Sequence, residues 1–312
     1  MKVDQVKFGV ALMRDDSPVS FARKAEALGF DSVWIGDHIV MPGPSQEGYT
    51  LLAALAAASE KITVGARVIV LPLRHPILNA KMAAQVDIIS GGRFVFGVGI
   101  GGDYPPEFPS LGVPHKERGR RTDENLEVIR RLFQEDKVTY HGKYYQLDNV
   151  SLQPKPIQKP GPPIWVGGRT DAALKRTAKY GDAYFPFLTT VQGLKERLPQ
   201  LHRYAKEYNR DLSNAPLGLV ISTYVGPDHD TAHARAARAG GPPGTRPTTD
   251  WNVMTDRYVA HGAAKDIIAT LEQYIDVGVN HFVFNLSSER GQGDHDLKYM
   301  AEEVIPYFRS KP

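Results

Sequence analysis

Apolar and polar positions along the chain follow two alternating rhythms. Short apolar runs at residues 8–12, Ser32–Ile35, 63–70 and 94–98 have the length and β-branched content of buried strands. Between them, Phe21, Ala25 and Leu28, and then Ile77, Ala80, Ala84 and Ile88, recur at helical spacing, and residues 49–59 form an alanine- and leucine-rich helix. The punctuation agrees. Ser17-Pro18 offers a helix cap with proline at the first helical position, Gly29 stops that helix, and Ser90-Gly91-Gly92 stops the third.

Strand then helix, repeated at about 30 residues per unit, predicts a parallel sheet. The rhythm breaks over residues 103–163. That stretch holds a proline-rich loop, a helix over Arg118–Gln134, a hairpin over 138–152 turning at His141-Gly142, and a segment with prolines at 154, 156, 160, 162 and 163. It reads as an insertion, because alternation resumes with strands at 164–166, 183–187, 217–225 and His281–Leu286, and helices at Asp171–Tyr180, 194–208, 263–277 and 297–308. Residues 226–262 are irregular, with a short alanine-rich helix and a Gly-Pro-rich stretch at 240–247. Eight strands with interleaved helices predict an α/β fold, a single eight-stranded (β/α) barrel domain over 1–312 with an insertion after the fourth strand. An open doubly wound sheet is the structural alternative.

Composition narrows the function. The chain has 312 residues and no cysteine, so disulfides, thiol catalysis and cysteine metal sites are excluded. Its 38 basic and 35 acidic residues are interspersed, giving +3 with no stripe suited to nucleic acid. No apolar run reaches the roughly 18 residues of a membrane span, and the start lacks the apolar core of a signal peptide. The expectation is a soluble cytoplasmic protein.

The candidate chemistry sits at strand ends. Asp37-His38 follows the second strand, and a carboxylate beside an imidazole there is either a site that moves protons or a surface loop. Gly97-Val98-Gly99-Ile100-Gly101-Gly102 has the dinucleotide glycine spacing, but it follows the fourth strand and runs into Asp103-Tyr104-Pro105-Pro106. It reads better as a glycine-lined strand end where a flat ring can approach the backbone, or as a tight corner. Gly167-Gly168-Arg169 precedes a helix start, which suits a phosphate, although Thr170 or Asp171 could simply cap the helix. Arg74 faces either an anionic substrate or solvent. His229 and His233 stand at i,i+4, as metal ligands can, but the sequence offers no third ligand nearby and a solvated face is the expectation. No metal is expected.

Several stretches together are similar to one family. They are Leu28-Gly29-Phe30-Asp31-Ser32-Val33-Trp34 leading to Asp37-His38, Pro72-Leu73-Arg74-His75-Pro76, Ser90-Gly91-Gly92-Arg93-Phe94 running to Gly101, Glu107-Phe108 with Gly112, and Pro163-Ile164-Trp165-Val166-Gly167-Gly168. In this order and spacing the chain resembles the bacterial luciferase-like flavin- and deazaflavin-dependent oxidoreductases, over nearly its whole length and most weakly at 226–260. The resemblance implies a barrel with FMN or the deazaflavin coenzyme F420 at the strand ends. It implies a non-proline cis peptide near Arg67-Val68 behind the ring, glycines 99, 101 and 102 beside it, and the phosphate at Gly167, Gly168 and Arg169. It places His38 at the reactive edge, with Asp37 as catalytic partner or orienter. Where the family's sugar-phosphate dehydrogenases have an aromatic residue and a catalytic glutamate, this chain has Pro42 and Gly102, which leaves Asp103 or Glu107 as substrate-side acids.

The implied activity is hydride transfer between the cofactor and a small organic substrate, with a deazaflavin-dependent reductase or dehydrogenase slightly favoured. An FMN-dependent monooxygenase using oxygen is the main alternative. A non-redox phosphate-binding barrel enzyme and a non-catalytic flavoprotein stand behind it. A homodimer and a reductase as electron donor are the expected partners.

Overall fold

The computed structural model describes residues 6–13, 16–42, 45–240, 250–286 and 292–310. The predicted strands form where the apolar runs lie: β1 Lys7–Ala11, β2 Ser32–Ile35, β3 Thr63–Ala66, β4 Ile69–Val70 and β5 Phe94–Gly99. The expected continuous strand at 63–70 is two pieces, separated by a cis peptide bond between Arg67 and Val68. That is where the resemblance placed it. A separate antiparallel hairpin, β6 Val138–His141 and β7 Gln146–Val150, lies in the 103–163 stretch. The later strands are β8 Ile164–Gly167, β9 Ala183–Phe185, β10 Gly218–Val225, β11 Val259–Gly262 and β12 His281–Leu286.

All strands outside the hairpin join one parallel sheet in the order β11-β10-β12-β1-β2-β3-β5-β8-β9, with β4 also on β5. Two isolated parallel bridges, Tyr184 with Leu217 and Phe187 with Val220, bring the end of β9 alongside β10. The sheet is therefore curled, not open and flat, and its two faces bury different cores. One face packs against helices, among them α1 Pro18–Ala27, α2 Gly48–Ala58 and α3 Pro76–Ile89. The other encloses a smaller core of Trp34, Trp165, Phe185, Val95, Val220 and Val283. The two indoles sit 5.3 Å apart at the centre of that enclosed face. Gly9 and Gly65 make room for them: a Cβ at either would come within 2.7 Å of the Trp34 ring.

Helices follow the predicted stripes. α4 Glu107–Ser110 and α5 Arg118–Gln134 precede the hairpin, and α6 Asp171–Tyr180 and α7 Val191–Glu207 flank β9. The region expected to be irregular is more ordered than its composition suggested. It contains α8 His229–Ala239, α9 Trp251–Tyr258 and β11, while most of the Gly-Pro-rich stretch at 240–247 lies outside the described residues. α10 Ala264–Ile275 and two closing helices, α11 Gly293–Tyr299 and α12 Ile305–Arg309, complete the fold. Among the described residues no helix is long and apolar enough to cross a membrane.

Candidate active site

The carboxyl ends of parallel strands point one way, so side chains just beyond them share one mouth. A cavity of about 560 Å³ opens there. It collects Ala11 and Leu12 from the end of β1, Asp37 and His38 beyond β2, Arg67 at the break between β3 and β4, Phe187 beyond β9, Ser222 and Tyr224 on β10, and Asn285 and Leu286 on β12. Met41, Pro42 and Leu51 supply one apolar wall, and Ala236, Ala239 and Trp251 another.

His38 keeps a quarter of its side chain exposed to this cavity. Its Nδ1 lies 3.1 Å from Oε2 of Glu107, which is almost wholly buried. The other oxygen of Glu107 accepts backbone N–H bonds from Ile39 at 2.6 Å and Val40 at 3.0 Å. One buried carboxylate thus fixes both the loop and the ring, and Nε2 is left for the cavity.

Asp37 does not orient His38. Its carboxylate accepts from the backbone N–H of Gly48 and of Val70, both at 3.0 Å, and forms a two-pronged pair with Arg74 at 2.8 Å. Arg74 also donates to Glu47 at 2.6 Å. Burial opposes the charge on Arg74, but the bonds to Asp37 and its charge outweigh that and raise the guanidinium pKa above the ordinary arginine value. Arg74, expected at a substrate anion or in solvent, is therefore committed to Asp37. The Pro72-Leu73-Arg74-His75-Pro76 stretch makes a tight turn that locks the start of α3, where the His75 ring accepts from the Ile77 N–H.

Among the described residues, Arg67 is the cation that lines the cavity. Its guanidinium donates to Asn285 Oδ1 at 3.0 Å, and its buried Nε has no partner among the described residues. Burial alone pulls its pKa down to about 10, so it stays charged at neutral pH. Val68, across the cis bond, reaches the glycines of the neighbouring strands. A Cβ on Gly99 would meet its Cγ2 at 2.4 Å, and one on Gly167 its Cγ1 at 3.0 Å. These two glycines seat the bulge.

Gly101 and Gly102 have positive φ, 63° and 128°, and turn the chain away from β5; Gly102 faces the Arg118 side chain. Gly168 and Arg169 are exposed at the start of α6, where Thr170 caps the helix by accepting from the Ala173 N–H. None of Gly99, Gly101, Gly102, Gly167, Gly168 and Arg169 lines the cavity around His38. Asp103 is exposed, and of the two acids proposed for the substrate side only Glu107 reaches His38. His229 and His233 lie on α8 away from His38, and they are not an isolated solvated face. His261 on β11 comes within 3.1 Å of His229, a partner that the spacing along α8 could not reveal.

Against this geometry, the model of the luciferase-like monooxygenase family matches residues 15–280. The chain belongs to that family. It is 26% identical to the F420-dependent glucose-6-phosphate dehydrogenase of Microbacterium testaceum, over 94% of this chain and 93% of that one. It is 34% identical to the FMNH(2)-dependent dimethylsulfone monooxygenase of Pseudomonas putida, over 51% of this chain and 44% of that one. An uncharacterised protein of Mycobacterium tuberculosis is also 34% identical, over 62% of its length. The chain thus spans less than two thirds of the first curated relatives it matches. Among solved structures, an F420-dependent secondary alcohol dehydrogenase in complex with an F420-acetone adduct superposes with a TM-score of 0.84 at 25% identity, covering 99% of this chain and all of that one. Relatives of this luciferase-like chain therefore include both dehydrogenases and monooxygenases.

Proposed function

We propose that the chain transfers hydride between a deazaflavin and a small organic substrate, an alcohol or ketone, held in the cavity around His38. The observation that carries this reading is the extent of likeness. Sequence agreement with the F420-dependent dehydrogenases runs through nearly the whole of both chains, whereas the monooxygenase sequences match 51% to 72% of this one.

The residues present suit such a cofactor. Arg67 has an orphaned buried N–H, which an anionic or carbonyl oxygen of a ring would satisfy. The Val68 bulge offers a convex apolar backing, and Gly168, Arg169 and the start of α6 offer N–H groups and charge to a phosphate. When bound, the deazaflavin supplies the hydride acceptor or donor. His38 Nε2 takes the hydroxyl proton as an alcohol is oxidised and returns it to the carbonyl oxygen in the reverse direction. Glu107 stabilises the imidazolium that results. Arg67 places positive charge where negative charge develops, and Met41, Leu51, Phe187 and Trp251 exclude water.

Pro42 and Gly102 stand where the sugar-phosphate enzymes have an aromatic residue and a glutamate, so glucose 6-phosphate is not the substrate we expect. The curled sheet, joined from β9 to β10 by its bridges, reads as the eight-stranded barrel, with β3 and β4 counted together and β11 as a side strand. The stretch 103–163 is its insertion. The reading extends to a single domain acting as a cytoplasmic homodimer. The 34% local identity to a dimethylsulfone monooxygenase favours the second reading, reduced FMN with oxygen, for which a separate reductase would be the donor.

A side-by-side titration with deazaflavin and FMN separates the two. Selective tight binding of the deazaflavin, with alcohol-dependent reduction of its absorbance, is the expected result. Selective FMN binding with substrate-dependent oxygen uptake would replace it with the second reading. Binding of neither would remove both.

A further inference from the structure

A second cluster of reactive side chains lies where α8, α9 and β11 meet. His229 is the first residue of α8, His233 follows one turn later, Asp256 comes from α9 and His261 from β11. One ligand atom each from His229, Asp256 and His261 lie within 4.8 Å of one another. His229 Nε2 is 3.1 Å from His261 Nε2. Asp256 Oδ1 is 3.8 Å from His261 Nε2 and 3.2 Å from His233 Nε2. Four donors held about 2.0–2.1 Å from a tetrahedral ion sit roughly 3.3 Å apart, close to the His229–His261 spacing.

The far nitrogens settle which atoms point inward. His261 Nδ1 lies 3.0 Å from the Val259 carbonyl oxygen, which can only accept, so it carries the proton. His229 Nδ1 lies 3.2 Å from the Asp230 carboxylate, which assigns its proton in the same way. Among the described residues, both Nε2 atoms then present lone pairs to each other, with a carboxylate oxygen beside them. That arrangement is repulsive when nothing lies among the three groups, and a cation relieves it. Imidazoles that bind metals also characteristically donate their second N–H to a carbonyl or carboxylate.

We propose that His229, Asp256 and His261 bind one divalent transition-metal ion, Zn²⁺ by the nature of the donors. His233 positions Asp256 through their hydrogen bond. Imidazole nitrogen with one carboxylate oxygen suits zinc and its neighbours, not the all-oxygen preference of calcium or magnesium. The ion ties α8 and α9 to β11. Because Ala236, Ala239 and Trp251 on those helices form a wall of the cavity around His38, the clip also holds that wall. The inference stands apart from the proposed redox activity and needs no cofactor.

The test uses the full, tag-free chain after chelation and dialysis. Calorimetric titration with Zn²⁺ is expected to give one equivalent of tight binding, and Co²⁺ is expected to give visible bands of tetrahedral intensity. His229 is exposed, so His229→Ala is expected to fold, as circular dichroism will check, and to weaken binding by roughly a hundredfold or more. His233→Ala, which removes only an outer hydrogen bond, is expected to weaken it by roughly tenfold. Zn²⁺ is expected to raise the Tm of the unmodified chain and not that of His229→Ala. No stoichiometric binding, or equal affinity in the unmodified chain and both variants, overturns the proposal.

Discussion

Asp37 and His38 are neighbours in the chain and belong to different machines. Asp37 turns into the protein, where Arg74 and two backbone N–H groups use up its carboxylate. His38 turns into the cavity and takes its support from Glu107, on a short helix 69 positions later. Successive side chains at the end of a strand leave on opposite sides, so adjacency separates these two groups. A frame holds the loop from one side, and a buried acid aims the imidazole from the other. Each half can be removed without touching the other.

The largest expected effect lies on the cavity side. His38→Ala should lower turnover by roughly 10²–10⁴-fold, the usual contribution of a positioned proton-transfer group, while cofactor affinity changes little. Steady-state kinetics beside a cofactor titration measure both, and unchanged turnover would remove His38 from the reaction. Next comes the frame. Asp37→Asn leaves the Arg74 guanidinium, whose side chain is only 8% exposed, facing a neutral amide. The expected loss is about 3 kcal/mol of stability, at the low end for a broken buried pair because Glu47 remains. Denaturant unfolding reads that loss, and turnover per folded molecule should stay near that of the unmodified chain. If Asp37→Asn instead resembles His38→Ala in kinetics with normal stability, the division between the two residues is wrong.

The difference between these residues also marks how far the sequence could be read. Strand and helix positions followed from periodicity, because burial on two sides of a parallel strand leaves an apolar run that loops do not have. Ser32–Ile35 and Asp171–Tyr180 have the bounds the pattern predicted. His38 was legible as a strand-end imidazole. Its partner was not, since no local rule links it to a glutamate beyond five intervening elements, and Asp37 next door was the natural candidate. The same limit hid His261 and Asp256 from His229: the pair on α8 showed in the spacing, and the third and fourth groups arrive only when α9 and β11 fold back. Gly99 and Gly167 were legible as close-approach sites, but what approaches them in the fold is the Val68 side chain.

Glu107→Gln should give a smaller effect that tests the aiming directly. The amide still accepts from the Ile39 and Val40 N–H groups, so the loop stays in place, but the negative charge beside His38 Nδ1 is gone. The imidazolium formed in turnover loses its anionic neighbour, so turnover should fall, by less than in His38→Ala, with stability little changed. Unchanged turnover would reduce Glu107 to a structural anchor.

The smallest effect comes from His281, a histidine with neither an acid nor a cavity. It is buried within the curled sheet, where its Nε2 shares a hydrogen bond with Ser32 Oγ at 2.7 Å, and the Trp34 N–H donates to that hydroxyl. Burial, with a smaller push from Lys7, holds its pKa at about 3 against an ordinary 6.5. Between those values the unfolded chain binds a proton that the folded chain refuses, so this contribution to stability is whole above 6.5 and is lost progressively as pH falls towards 3. His281→Gln keeps an acceptor for Ser32 without the titration. Its Tm should therefore fall less steeply than that of the unmodified chain between neutral pH and about pH 5. Parallel Tm curves would mean that acid sensitivity arises at another group.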